Sequence, residues 1–213
     1  SGDPSPLTAR GVEAAIRACC EWRFGSADLS GRRVCVIGLG HVGSRLAQRL
    51  LAAGAEVVAA DIDAEKRGLA EKLGAGWTDA GSAIGTTCDV LAPCALGGTI
   101  DGDNVGSLRC EIVCGSANNV LADQRLGERL AAQGIVYAPD FIANAGGLIN
   151  VYAEIHGLDE TRTARLVDGI GDTIGAILTE AEERSITPLE AARELAEYRL
   201  ATGRGGRSAI ASL

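Results

Sequence analysis

Apolar residues run without a break through Val34-Cys35-Val36-Ile37 and then recur once per helical turn at Val42, Leu46 and Leu50. A short continuous run followed by a spacing of four predicts a buried strand leading into an amphipathic helix. Gly54 stops that helix, and Glu56-Val57-Val58-Ala59-Ala60 reads as a second strand with Asp61 at its carboxyl end. Ala64 to Leu73 reads as a short helix closed by Gly74, and Gly76-Trp77-Thr78 as a weak third strand. Asp89-Val90-Leu91-Ala92, Glu111-Ile112-Val113-Cys114 and Ile135-Val136-Tyr137-Ala138 are further runs of strand length. A helix is expected between Asp123 and Gln133.

Both ends of the chain are helical in pattern. Ser5-Pro6 reads as an N-cap with proline in the first helical position. Val12, Ile16 and Cys19 or Cys20 then recur at helical spacing to about Trp22, before a stop at Phe24-Gly25 and a turn at Asp28-Leu29-Ser30-Gly31. From about Asn144 the pattern is wholly helical, with Leu166, Ile170, Ile174 and Leu178 on one face. Thr187-Pro188-Leu189-Glu190 is a capping box that opens a last helix through Leu195 and Leu200. The tail from Gly203 to Gly206 is expected to fray, and no internal repeat is visible.

Strands alternating with helices imply parallel pairing through right-handed crossovers. The fold class is therefore α/β: a doubly wound, mostly parallel Rossmann-type sheet with an N-terminal helix and C-terminal helices. Such sheets bind ligands beyond the carboxyl ends of their strands, which directs attention to the loops after Ile37, Ala60, Ala92, Cys114 and Ala138.

The first of those loops is Gly38-Leu39-Gly40-His41-Val42-Gly43. A tight turn at Gly38, a bare backbone at Gly40 and close helix packing at Gly43 are what a pyrophosphate needs, with unpaired N–H groups of the helix facing it. G-x-G-x-x-G alone is a weak signal; here its strand, its helix and an acid about 20 residues on stand in the expected context. Asp61, with Ile62 beside it, is the adenosine-side candidate: its carboxylate can accept both ribose hydroxyls and would repel a 2′-phosphate, so the cofactor reads as NAD rather than NADP. The rival role for Asp61 is a helix N-cap with no ligand.

The chain of 213 residues is 46% hydrophobic and carries a net charge of −8, which suits a globular protein and argues against nucleic acid or an anionic membrane as the main partner. No apolar run reaches the length of a membrane span and no signal-peptide pattern opens the chain, so a cytoplasmic protein is expected. Seven cysteines, with no C-x-x-C pair and several inside strand-like runs, read as buried free thiols rather than a disulfide scaffold or zinc site. Only His41 and His156 are available as histidine ligands, and no metal site is expected.

The carboxyl-end loops read Ala92-Pro93-Cys94-Ala95-Leu96-Gly97-Gly98, Gly115-Ser116-Ala117-Asn118-Asn119 and Ala138-Pro139-Asp140-Phe141-Ile142-Ala143-Asn144-Ala145-Gly146-Gly147. Together with Ser1-Gly2-Asp3-Pro4-Ser5-Pro6-Leu7-Thr8 they resemble the leucine/valine/phenylalanine dehydrogenase branch of the amino-acid (Glu/Leu/Phe/Val) dehydrogenase superfamily, over nearly the whole chain to about Leu200. That resemblance implies oxidative deamination of an L-amino acid to a 2-oxo acid with NADH and ammonia. It also implies that this chain is the cofactor half, with an NAD-binding domain over residues 1–203 and a flexible tail over 204–213. The N-terminal substrate domain would then be a partner in cis or in trans, in a homo-oligomer when complete. By the same resemblance Thr8 would meet the nicotinamide carboxamide and Ala95 and Leu96 the nicotinamide ribose. Ala117, Asn118 and Asn119 would sit at the reactive ring, with one of the two asparagines (Asn119 is our candidate) reaching the substrate carboxylate, and Asn144 would lie near the nicotinamide. Leu148 and Val151 would face the substrate side chain, their apolar character favouring an aliphatic group over a carboxylate.

Each assignment has a plainer rival. Asn118 and Asn119 would equally shape a turn, Asn144 would serve as an N-cap, and Leu148 and Val151 would fit a helix core. Cys94 is assigned no chemistry, since hydride transfer needs no nucleophile. Deamination needs a general base, which the resemblance makes a lysine of lowered pKa. The sequence has only Lys66 and Lys72, both on the helix after Asp61, and neither suits that role. The residues here are therefore expected to position NAD and part of the substrate, with no residue of this chain assigned to proton transfer. A free-standing NAD-binding module acting as a sensor or interaction domain is the alternative reading, and a dehydrogenase for another small substrate is a third.

Overall fold

The computed structural model describes residues 2–202. In chain order the elements are α1 (Ser5–Phe24), β1 (Arg33–Ile37), α2 (His41–Ala52), β2 (Glu56–Ala60), α3 (Arg67–Leu73), β3 (Gly76–Trp77), α4 (Ala80–Ala83), β4 (Val90–Pro93), β5 (Ile112–Val113), α5 (Leu126–Ala132), β6 (Val136–Tyr137), α6 (Asp140–Ala143), α7 (Gly146–His156), α8 (Glu160–Arg184) and α9 (Pro188–Ala201). The six strands form one sheet in the order β3-β2-β1-β4-β5-β6. Every pairing is parallel, from Arg33 opposite Glu56 in the centre to Val113 opposite Tyr137 near the edge. The sheet is thus wholly rather than mostly parallel. The chain leaves the centre in both directions, so the order reverses between β1 and β4, where doubly wound sheets open a crevice for ligands.

Side chains alternate across the strands, and the alternation divides the interior into two cores. Val34, Val36, Val90, Ala92, Ile112, Cys114 and Val136 face a large core shared with α1, α2 and α8. Cys35, Leu91, Val113 and Tyr137 face a smaller one with Val105, Leu126 and Leu130. Apolar runs without a polar alternate are the sequence expression of burial on both faces. On the first face α1 and α8 pack together without room for side chains at the crossing. A Cβ on Gly11 would stand 2.6 Å from Ile170 Cδ1, and one on Gly171 would stand 3.0 Å from the Ala14 carbonyl oxygen. The buried Glu13 carboxylate ties α1 to α2, accepting from Arg17 at 2.8 Å and from Arg49 at 2.6 Å.

Several expectations shift by a turn or less. Ser5 is not the N-cap of α1: Pro4 is, Pro6 takes the second helical position, and the Ser5 N–H donates to the Asp3 carboxylate at 3.0 Å. Residues Ala64 to Lys66 form a 3₁₀ turn rather than α-helix, because Asp63 accepts the Glu65 N–H and tightens the start. The helix expected from Asp123 begins at Leu126, since the Asp123 carboxylate draws in the backbone and guanidinium of Arg125. On α8 the buried stripe is Val167, Ile170, Ile174, Ile177 and Leu178, and Leu166 stands at its half-buried margin. Thr187 caps α9 as its spacing predicts, accepting the Glu190 N–H at 3.2 Å. Helix α4 and a 3₁₀ turn at Val105–Ser107 carried no periodic signal. The tail from Gly203 lies outside the described residues. No helix among the described residues is long and apolar enough to cross a membrane.

All seven cysteines are free; Cys19, Cys20, Cys35, Cys88 and Cys114 are buried. Burial pushes the Cys20 and Cys110 thiols up to about 12 and Cys35 up to about 11, from an ordinary 9.0. The folded state therefore keeps protons that the unfolded chain releases first. The stability this represents is complete below the unfolded value near 9 and is lost as pH rises towards 12. We expect the unfolding free energy from urea titration to hold steady at neutral pH and to fall above about pH 9, by up to about 1.4 kcal/mol per pH unit for each such thiol, with the midpoint falling alongside. Midpoints that stay level across that alkaline range would contradict it.

Candidate functional site

The turn after β1 is closed by steric contact. Gly38 has φ of +102°, a conformation that L side chains rarely adopt, and a Cβ there would lie 2.7 Å from Ala95 Cβ. A Cβ on Gly43 would lie 1.9 Å from the Gly38 carbonyl oxygen, so the first turn of α2 presses directly against the end of β1. Gly40 is the opposite case: nothing stands within 4 Å of where its Cβ would be. That open space fronts the N-terminus of α2, where Gly40 is the N-cap and no side chain caps the first-turn N–H groups. Uncapped N–H groups beside an open backbone form a cradle for an anion.

Asp61 joins this turn to the end of β2. Its Oδ2 accepts the Leu39 N–H at 2.7 Å and its Oδ1 accepts the Asp63 N–H at 3.0 Å. The cap of the following 3₁₀ turn is Asp63, so the N-cap role falls to a different residue. Asp61 is half-buried, oriented by two backbone donors, and next to an Ile62 side chain that is 90% exposed. His41 is exposed at the first position of α2.

Beyond β4, β5 and β6 the loops interlock. Ala95 and Leu96 are exposed after β4. The next residue, Gly97, cannot carry a Cβ, which would meet the Asn118 carbonyl oxygen at 2.7 Å, and the Gly98 N–H donates to the Asn119 carbonyl at 2.7 Å. Gly115 is equally confined: a Cβ there would lie 2.1 Å from the Pro93 carbonyl oxygen. Ala117 is buried, whereas Asn118 and Asn119 are exposed. Asn144, at the C-terminus of α6, donates from Nδ2 to Asn118 Oδ1 at 2.7 Å and lies 3.4 Å from the Ser116 carbonyl oxygen. Asn144 therefore closes α6 and does not serve as an N-cap; the N-cap of α7 is Ala145. The turn-shaping role does hold for Asn119, whose φ is +52°.

Thr8 is buried on α1, its hydroxyl donating to the Pro4 carbonyl at 3.0 Å. Gly146 and Gly147 pack against it: a Cβ on Gly146 would lie 2.3 Å from the Leu7 carbonyl oxygen, and one on Gly147 would lie 3.1 Å from Thr8 Oγ1. The start of α7, two residues after Asn144, is thus fixed on the start of α1. Leu148 and Val151 are not core residues, being 74% and 46% exposed, with Ile155 continuing their stripe. Ile62, Leu96, Phe141, Leu148 and Val151 give the carboxyl ends of the strands and the start of α7 an exposed apolar lining. The grooves between α8 and α9 and between α1 and α8 hold none of these residues.

Two residues matter here that sequence reasoning passed over. Asp140 stands in the sequence only as one residue of the loop after β6, yet its carboxylate accepts the Val120 N–H at 2.9 Å and the Phe141 N–H at 2.7 Å. Tyr137 lies buried under it, and burial, reinforced by the Asp140 charge, pushes its phenol well up. Their signal was the Tyr-Ala-Pro-Asp run at a strand's carboxyl end. His156 stacks on Tyr152 at 4.0 Å and bonds the Tyr152 carbonyl, a local arrangement on α7. Among the described residues no cluster of three or more His, Cys, Asp or Glu side chains could hold a metal ion.

Residues 61–205 match the family Glutamate/Leucine/Phenylalanine/Valine dehydrogenase, and residues 10–96 match the NAD binding domain of D-isomer specific 2-hydroxyacid dehydrogenases. The leucine dehydrogenase of Thermoactinomyces intermedius is 40% identical over 98% of this chain, and the valine dehydrogenase of Streptomyces coelicolor is 41% identical over 96%. The chain spans 57% of the length of each. The crystal structure of L-tryptophan dehydrogenase from Nostoc punctiforme superposes with a TM-score of 0.91 at 39% identity, covering 97% of this chain and 63% of that one. On the match of 61–205, which takes in β3 to β6 and the loops that follow β4, β5 and β6, this chain belongs to the glutamate/leucine/phenylalanine/valine dehydrogenase family.

Proposed function

We propose that this chain is the NAD-binding part of an L-amino-acid dehydrogenase acting by oxidative deamination on a branched-chain or other apolar substrate. The observation that carries it is the contrast within one loop. Gly38 and Gly43 are glycines because protein atoms leave no room for a side chain, whereas Gly40 is a glycine facing empty space beside uncapped helix N–H groups. A purely structural turn explains the first two but gives no reason for the third. A pyrophosphate does.

The adenosine ribose would then meet Asp61, whose carboxylate is held in place by Leu39 and Asp63 with lone pairs to spare and whose charge disfavours a 2′-phosphate. The nicotinamide end would lie towards Thr8, Ala95, Leu96, Ala117, Asn118, Asn119 and Asn144. When bound there, NAD would accept the hydride from the substrate's α-carbon. The hydrogen bond from Asn144 fixes which way the Asn118 amide points, leaving its NH₂ group free to donate to a substrate carboxylate or to the carboxamide. Exposed Leu148 and Val151 offer an apolar wall for the substrate side chain, against which a glutamate carboxylate would lose its water without gaining a partner.

The proton chemistry belongs elsewhere. Lys66 and Lys72 follow β2, on the opposite half of the sheet from β5 and β6, and Lys72 is exposed on α3. We infer that a further domain, in cis or in trans, supplies the base and covers the apolar rim; the 57% span of the dehydrogenase relatives supports this.

Three outcomes test the proposal. Purified chain should quench or enhance NADH fluorescence on titration, yet produce no NADH from NAD and leucine or valine until a relative's N-terminal domain is added. Turnover by the chain alone would overturn the division of labour, and absence of any NADH binding would overturn the whole reading. Gly40→Ala should melt within a few degrees of the parent and lose dinucleotide affinity, whereas Gly43→Ala should itself destabilise the fold by about 1–3 kcal/mol through overpacking. Equal stability losses in the two would remove the distinction on which the site rests. Asp61→Ser should weaken NAD binding by about tenfold or more, the worth of one charge-assisted hydrogen bond or two, as read by calorimetry.

A further inference from the structure

Asn119 is a non-glycine residue in the left-handed region, with φ of +52°. Such a backbone is strained and persists only where its neighbours over-determine it. Three hydrogen bonds do so here. Asp140 Oδ2 accepts the Val120 N–H at 2.9 Å, the Gly98 N–H donates to the Asn119 carbonyl at 2.7 Å, and the Ile100 N–H donates to the Val120 carbonyl at 3.0 Å. The first is the only one of these made by a side chain, and it is charge-assisted. The second Asp140 oxygen takes the Phe141 N–H at 2.7 Å, so one carboxylate joins the loop after β5 to the start of α6. At the other end of α6, Asn144 reaches back to Asn118 at 2.7 Å. The short helix is therefore clasped to the Asn118-Asn119 pair at both ends.

We propose that Asp140 is the positioning residue of this half of the site: its carboxylate holds the left-handed turn at Asn119 and, through α6, sets Asn144 against Asn118, so that the amides meet the ring end of the dinucleotide in one arrangement. Asp140 has both oxygens engaged by backbone N–H groups, of Val120 and of Phe141. The assignment rests on the dinucleotide reading above and adds to it which group orders the nicotinamide end separately from the adenosine end, which Asp61 serves. Asparagine at 140 keeps one acceptor oxygen and loses the charge, whereas alanine removes both acceptors.

The test titrates the full chain, Asp140→Ala and Asp140→Asn with NADH and with ADP-ribose, which shares the adenosine and pyrophosphate but lacks the ring. Hydrogen exchange at the Val120 amide is followed in parallel. Asp140→Ala should weaken NADH by about tenfold and leave ADP-ribose within about twofold, with Asp140→Asn between, and the Val120 amide should exchange faster in both variants. Equal losses for the two ligands would make Asp140 a support of the fold at large and overturn the assignment. So would unchanged NADH affinity. Should Asp140→Ala not fold, the same ligand pair on Asp140→Asn decides. A parent chain that binds neither ligand sinks the dinucleotide reading and this assignment with it; a parent that binds both, with variants that fail to discriminate, sinks the assignment alone.

Discussion

The contact between Gly43 and the Gly38 carbonyl is the constraint from which the rest follows. With 1.9 Å separating that oxygen from the place a Cβ would occupy, α2 can begin there only because residue 43 has none. Because α2 starts so close, its uncapped N–H groups face the end of β1, in the crevice where the strand order reverses. Asp61 accepts the Leu39 N–H at 2.7 Å, so the acid of β2 and the glycine turn of β1 are parts of one unit. Everything proposed for the adenosine side depends on that unit being formed before any ligand arrives, which is how ordering costs are kept out of binding.

Most of the architecture was legible from hydrophobic period alone. Unbroken apolar strands meant burial on both faces, and the two cores confirm why no polar alternate appears. What the period could not place were elements stabilised by other means. The 3₁₀ turn after Asp63 and the delayed start of α5 come from single carboxylates drawing in nearby backbone or guanidinium groups. Helix α4, made of Ala80-Gly81-Ser82-Ala83, presents too few apolar positions to show a repeat. Leu166 stood at the right spacing but falls at the margin of the contact face, because the pattern of four drifts against a helix of 3.6 residues per turn.

The site divides in the same way. The glycine loop and Asp61 announced themselves through spacing, since their roles are local to the chain. The loops after β4, β5 and β6 lie far apart in sequence, and only the fold brings Asn144 onto Asn118 and Asp140 onto Val120. Leu148 and Val151 looked alike as core or as lining, and their exposure removes the first of these readings. An apolar residue on a helix carries no mark in the sequence of whether its face is covered.

The ion pairs carry one more consequence. Every salt bridge among the described residues, including the pair that Arg17 and Arg49 make with Glu13, is built on arginine. A guanidinium does not give up its proton in any solution in which a protein stays folded. A rise through the alkaline range in which thiols and phenols titrate therefore leaves these opposite charges in place, and the buried cysteines and the Tyr137 phenol, not the ion pairs, answer to it first.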